Sequence, residues 1–220
     1  MGLFDKLALE DSAGTNKEIE IVIYAEIGDF EGLRRADFTE EHEQLETSFI
    51  KGQRCRCRKV TTDHKVEHFI TFKIPTEGTE GAESYKEVTS FIDADFFEQF
   101  KAVAERSLKK IRYTFNSEKV ELSVDNENER KTITIPNVQY EVDVYTGKDG
   151  GIINWCKIDI EVDSVLDYLN EKFPDIDGLK LNLKVSHLPF KPTNSILSTT
   201  TNEDQQNFIH ELWEKFNLTP

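Results

Sequence analysis

The stretch Gln53–Val60 reads QRCRCRKV, which sets arginines at 54, 56 and 58 with cysteines at 55 and 57 between them. In a strand every second side chain shares a face, so Arg54, Arg56 and Arg58 form one row and the two cysteines stand behind it. A row of guanidiniums facing a ligand, not water, would suit a polyanion. The same period of two recurs along the chain with both signs of charge. The segment KEIEIVIYAEI sets Glu18 and Glu20 against Ile19, Ile21 and Ile23, and HKVEHFITFKI carries Thr71 and Lys73. Then KKIRYTFN carries Lys110 and Arg112, and later segments carry Glu121, then Glu141 and Asp143, then Lys157, Asp159, Glu161 and Asp163.

Two arrangements satisfy this alternation. An antiparallel sheet can pack its aliphatic face on helices and show its charged face to water. Alternatively, about eight strands can close into a barrel with the charged faces inward, leaving room for side chains or one small ligand. Buried charges persist only when paired or bound to counter-ions, and both signs are present here.

Several elements would have to position these residues. Residues 1–16 read as a short amphipathic helix and a loop, and the first strand follows from Lys17. A capping-box pattern at Thr39 opens an expected helix, TEEHEQLETSFI, which Gly52 ends before the arginine strand. After the strand bounded by Pro75 comes a polar, glycine-containing loop over 76–84 and a strand, YKEVTSFID. ADFFEQFKAVAERSL reads as a helix with Phe96, Phe97, Phe100, Val103 and Leu108 inward. Two hairpins follow, one turning at Asp125–Glu129 and one at Gly147–Gly151. Beyond them, DSVLDYLNEKFPD reads as a helix, GLKLNLKV as a short strand or extended segment, and HLPFKPTNSILSTTT as irregular. The chain closes on a helix whose Phe208, Ile209, Leu212, Trp213 and Phe216 make one apolar stripe.

With 220 residues the chain is expected to form one large domain. Its 42 acidic against 27 basic residues give a net charge of −15, which repels bulk nucleic acid and anionic membranes. No apolar run approaches the roughly 20 residues of a membrane span, and MGLFDKLALED has neither a secretory signal pattern nor the Ser or Thr of a myristoylation signal at Lys6. Cys55, Cys57 and Cys156 form no C-x-x-C pair and read as reduced thiols, so a cytoplasmic setting is expected. The five histidines show no ligand spacing, and Gly147, Gly150 and Gly151 are turn glycines with no helix after them.

The order of these motifs resembles the CYTH superfamily, or triphosphate tunnel metalloenzymes. E-I-E, R-C-R-C-R, I-T-F-K, K-K-I-R-Y, Y-E-V-D-V-Y-T-G-K and D-I-E-V-D-S look like its successive signature strands over roughly Lys17–Ser164. The resemblance implies an α+β fold: an eight-stranded antiparallel closed β-barrel, the tunnel, with helices packed outside. It would span 17–175, with an N-terminal helical segment over 1–16 and a C-terminal extension over 176–220 ending in the amphipathic helix. It implies a metal-dependent phosphohydrolase acting on inorganic triphosphate or a nucleoside or organic triphosphate. A non-catalytic tunnel that binds a phosphorylated nucleotide or signalling molecule, and an adenylyl cyclase of the class IV type, stand as alternatives.

Carried over residue by residue, the resemblance makes Glu18, Glu20, Arg56, Arg58 and Lys73 catalytic. Arg54, Arg56, Arg58, Lys73, Lys110, Arg112, Glu141 and Asp143 would bind substrate, and Glu87 falls where members often carry another inward acid. Glu18, Glu20, Asp159 and Glu161 would hold Mg2+ or Mn2+, which favour such hard oxygen ligands. The implied partner is a small phosphorylated ligand, and a homodimer is compatible with the sequence. Two departures stand out: Val22 occupies the lysine position of the family's E-x-E-x-K, and Asp159 stands where glutamate is usual.

Overall fold

The computed structural model describes residues 20–48, 54–76, 84–126, 129–147, 150–161, 184–186 and 192–197, with Asn207, His210, Glu211 and Glu214. It is mostly β. The strands are β1 (Glu20–Ile27), β2 (Phe38–Thr47), β3 (Arg54–Thr61), β4 (Val66–Thr76) and β5 (Ser84–Phe91). They continue as β6 (Arg106–Asn126), β7 (Glu129–Thr146), β8 (Ile152–Glu161), β9 (Lys184–Ser186) and β10 (Pro192–Leu197). A 3-10 turn at Glu31–Arg35 and one α-helix, α1 (Ala94–Phe100), accompany them. No helix among the described residues is long and apolar enough to cross a membrane. The chain divides into two compact units, one of Met1–Lys17 with His42–Ser107 and one of Glu18–Glu41 with Leu108–Pro220.

In the first unit β2, β3, β4 and β5 lie side by side in that order. Alternation along β3 sends Cys55 and Cys57 to one face, where both are fully buried with Leu45, Phe97 and Phe100. The thiols therefore act as small apolar side chains beneath α1, as their place behind the arginine row suggests. Ile70, Phe72, Ile92 and Ala104 close over the same cluster. The Asp93 side chain accepts a 2.7 Å hydrogen bond from the Phe96 amide and so caps α1.

The expected helix over 94–108 stops at Phe100, because Glu105 N already donates to Glu46 O at 2.9 Å and the chain enters β6 at Arg106. Its apolar set is divided, and Leu108 packs with Tyr145 and Ile153 instead. Phe97 and Phe100 are inward, whereas Phe96 and Val103 are 43% and 58% exposed. The helix expected at TEEHEQLETSFI is strand β2. Its glutamates favour helix locally, but alternation serves the tertiary structure: Leu45 joins the core and Glu43 reaches Lys101 at 3.5 Å.

In the second unit the order is β10, β1, β8, β7, β6, with β9 also on β6, and every register resolved there is antiparallel. Both expected hairpins are present. Asn126 faces Glu129 at the first, and Gly147 N donates to Gly151 O at 2.8 Å at the second. There Gly150 takes φ of 81°, which glycine adopts without a Cβ penalty. Ile23, Ala25, Val142, Val144, Ile158 and Ile160 are buried on one face of this sheet.

The segment over 187–201, expected to be irregular, contains β10, in which Pro192 opposes Ile27 and Leu197 opposes Ile23. Its proline hides the strand in the sequence, yet at the first residue of a strand the missing N–H is tolerated. The described strands are not closed into a barrel by hydrogen bonds, which corrects the expectation of an eight-stranded closed tunnel: among the described residues β5 pairs only with β4 and β10 only with β1. The helices expected over 1–16 and 163–175, and the apolar stripe of the last helix, lie outside the described residues. Asn207, His210, Glu211 and Glu214 are helical and exposed, as expected of that helix's polar face.

Phe97, with no exposed area, is the side chain on which α1 rests. Phe97→Ala is expected to cost about 3–5 kcal/mol in urea unfolding, whereas Phe96→Ala, on the exposed side, should change stability by under about 1 kcal/mol.

Candidate functional site

Strand register assembles the polar face of the second unit. Lys110 faces Tyr145, Arg112 faces Asp143, Asp143 faces Lys157, and Lys157 faces Tyr24. One step along, Glu141 faces Asp159, which faces Val22; one further, Glu161 faces Glu20. Opposed residues share a face, so this patch lies back to back with the aliphatic face of the same strands. It is buried too: Asp143 is 1%, Asp159 3% and Lys110 8% exposed. A charged face turned to water is therefore excluded for these residues.

Their charges are spent on one another. Arg112 donates from Nε to Asp143 Oδ1 at 2.8 Å and from Nη2 to Asp143 Oδ2 at 2.9 Å. Lys110 Nζ also donates to Asp143 Oδ2, and Arg112 Nη1 pairs with Glu141 Oε2. Lys157 Nζ donates to Asp159 Oδ2 at 2.7 Å, and Arg112 Nη2 lies 4.0 Å from the same oxygen. Asp159 Oδ1 is buried with no hydrogen-bond partner among the described residues.

Burial alone would raise the Asp143 carboxyl, but Lys110 and Arg112 overcome it and hold the group well below the carboxylate range. Burial likewise works against Arg112 and Lys157, and the surrounding carboxylates more than offset it, so both are raised. Lys110 is the exception. Burial, supported by Arg112 and Lys157, pulls it down to about 8 despite Asp143. Burial and the nearby Asp143 also push the Tyr145 hydroxyl and the Cys156 thiol up, keeping both neutral.

The arginine row lies in the first unit. Arg54 faces Lys73, which faces Glu87; Arg56 faces Thr71, which faces Thr89; Arg58 faces Phe69, which faces Phe91. The three arginines are half-buried, on the face opposite the Cys55–Phe97 core. Arg56 Nε is buried without a hydrogen-bond partner among the described residues. Beside it, Thr71 Oγ1 and Thr89 Oγ1 share a 3.0 Å hydrogen bond. This face therefore gathers three arginines and, by register, Lys73.

Of the residues singled out in the sequence, Lys110, Arg112, Glu141, Asp143 and Asp159 come together in one network. Arg54, Arg56, Arg58 and Lys73 share the other face, with Glu87 beside Lys73. Glu20 and Glu161 are placed by register as opposed residues, and Glu18 lies outside the described residues. Lys157 was not singled out as a site residue, although its place two residues before Asp159 puts it on the same face. Phe69 was overlooked likewise: it keeps step with Thr71 and Lys73, but an aromatic reads as core.

No group of three or more His, Cys, Asp or Glu among the described residues is placed to hold a metal. Register brings three acidic positions together at one end of the second unit's face. Asp159 has an unsatisfied oxygen, Glu161 follows on the same face, and Glu20 opposes Glu161.

No protein-family model matches the chain, and no curated protein matches it. Solved structures show a weak likeness. The PH1819 protein of Pyrococcus horikoshii is 19% identical over 76% of this chain and 93% of its own, with a TM-score of 0.42. A conserved hypothetical protein of Pyrococcus furiosus is 19% identical over 91% of this chain and 92% of its own, with a TM-score of 0.40. HpAC1 of Hippeastrum, described as an adenylyl cyclase candidate with a dominant triphosphatase activity, is 12% identical over 73% and 89%, with a TM-score of 0.42. At these scores the likenesses assign neither family nor activity to this chain.

Asp143→Asn would leave Lys110 and Arg112 buried without their shared counter-charge, and chemical denaturation is expected to show a loss of about 3–5 kcal/mol. Lys110 is the pH-sensitive member. Its folded value of about 8 lies below the ordinary 10.5, so the unfolded chain binds more protons in that window and stability rises with pH there. Relative to Lys110→Met, the wild-type protein should gain on the order of 3 kcal/mol between about pH 8 and pH 10.5 in pH-stepped denaturation.

Proposed function

We propose that this chain grips a phosphorylated small molecule with Arg54, Arg56, Arg58 and Lys73 and hydrolyses its phosphoanhydride with the help of Mg2+ or Mn2+. The substrate class is inorganic triphosphate or a nucleoside or organic triphosphate. One observation carries this reading: three half-buried arginines stand on one face, and Arg56 keeps a buried Nε donor without a hydrogen-bond partner among the described residues. A buried donor left unmade is costly, and a phosphate oxygen would satisfy it with a charge-assisted hydrogen bond. The motif order from Glu18 to Glu161, which resembles the triphosphate tunnel enzymes, supports the same choice of ligand.

In this scheme Arg56, Arg58 and Lys73 position the phosphates and absorb charge that develops on the leaving oxygen. Glu18, Glu20, Asp159 and Glu161 would hold the divalent ion, which would supply Lewis-acid charge stabilisation at the phosphoanhydride. Lys110 and Arg112 are bound to Glu141 and Asp143, so they assist only by exchanging a carboxylate for a phosphate.

Binding without cleavage is the second reading, and Val22 favours it. A lysine there would oppose Asp159; valine supplies no cation, and one Asp159 oxygen has no hydrogen-bond partner among the described residues.

Phosphate release from triphosphate, measured with Mg2+ and with Mn2+, separates the readings. Hydrolysis is expected, with Arg56→Met lowering triphosphate affinity by about tenfold or more and Glu20→Gln abolishing turnover while the melting temperature is kept. Full turnover in either variant would overturn the assignment. Tight binding with no free phosphate means a binder, and pyrophosphate with a cyclic product from ATP means a cyclase.

A further inference from the structure

The arginine row ends in an aromatic pair, exposed Phe91 against half-buried Phe69. Phe91 is 72% exposed, an unusual position for a large apolar side chain in a strand. Its ring lies 4.8 Å from that of Phe69, tilted by 38°. Register fixes what stands beside them: Phe91 opposes Phe69, and Phe69 opposes Arg58, so all three share the face that carries Arg54, Arg56 and Lys73. The opposite face of the same strands holds the Cys55, Cys57 and Phe97 core and already has α1 against it. The aromatic pair is therefore not part of that core.

We propose that Phe91, backed by Phe69, is the stacking platform for the base of a nucleoside polyphosphate whose phosphates lie on the arginine row. Deepening the phosphate-binding reading above and resting on it, this selects nucleotides over bare triphosphate. An aromatic ring accepts any base on its face and so confers preference for a ring-bearing ligand without reading its identity. The spacing suits such a ligand. From Phe91 to Arg56 is two strand spacings of about 4.8 Å across and one two-residue step of about 6.7 Å along, roughly 12 Å in all. That span is comparable to the reach from a base to the outer phosphates of a nucleoside triphosphate. Between the two ends lies the exposed Thr89, whose hydroxyl can meet a sugar and is held at 3.0 Å by that of the fully buried Thr71. Inorganic triphosphate would occupy the arginines and leave the aromatic pair in water.

Titration calorimetry of the full chain in Mg2+ tests this, with the β,γ-imido analogue of ATP and diimidotriphosphate as probes that are not turned over at that bond. The nucleotide analogue is expected to bind more tightly than diimidotriphosphate. Phe91→Ala should weaken the nucleotide analogue about tenfold or more and leave diimidotriphosphate unchanged, while Phe91→Trp retains both. Equal weakening of both probes, or an unchanged nucleotide affinity in Phe91→Ala, would overturn the platform. So would a wild-type chain that binds diimidotriphosphate as tightly as the nucleotide. Wild-type binding of neither probe would instead remove the phosphate-binding assignment, and this inference with it. Because Phe91 is exposed, its variants should melt with the wild-type protein, and Phe91→Trp separates loss of stacking from loss of fold.

Discussion

The buried carboxylate of Asp143 is the constraint around which the second unit's polar face is organised. A lone ion at 1% exposure would be untenable, so Lys110 and Arg112 must point at it, and they can do so only if β6 and β7 hold their register. Arg112 then has a third nitrogen, Nη1, to place, and Glu141 receives it, while Nη2 also lies 4.0 Å from Asp159 Oδ2. Lys157 completes the set through Asp159. Each strand contributes at alternate positions. That is why the charges come at a period of two in β6, β7 and β8, and why the other half of each strand is aliphatic.

A network that neutralises itself differs from one that waits for a ligand. Three cations and three carboxylates in the second unit leave little net field, and an anion reaching them must compete with carboxylates already in place. The arginine row has a different set of neighbours. Its neighbours in register include a lysine, hydroxyls and aromatic rings, with Glu87 the acid among them.

Much of this was legible in the sequence because it rests on strand period and turn chemistry. The row at 54, 56 and 58, the hairpins at 125–129 and 147–151, and the charged residues of β6, β7 and β8 all follow from alternation and glycine placement. Segments whose local preference opposes their tertiary role misled. The glutamates of β2 favour helix, and only its neighbours on either side make it a strand. Pro192 disguised β10, and the apolar residues after Phe100 suggested a longer α1 than β6 permits. Closure was not legible at all, since alternation says which face is polar and nothing about which strands meet at the ends. The aromatic end of the arginine row went unseen for a related reason: composition marks a phenylalanine as core, and only cross-strand register places Phe91 beside Phe69 and Phe69 beside Arg58.

The meander of β6, β7 and β8 also governs the order in which the chain can assemble. Arg112, Asp143 and Lys157 meet across two successive hairpins, so the ionic cluster joins residues no more than one hairpin apart at each step, with a smaller loss of chain entropy than a distant pairing. Joining β1 to β10 brings Ile23 to Leu197 and must close nearly the whole length of the chain. Contacts between nearby residues form fastest, and distant pairing is the slow step in β proteins. The buried charges can thus be satisfied early, before the far ends of the sequence find each other.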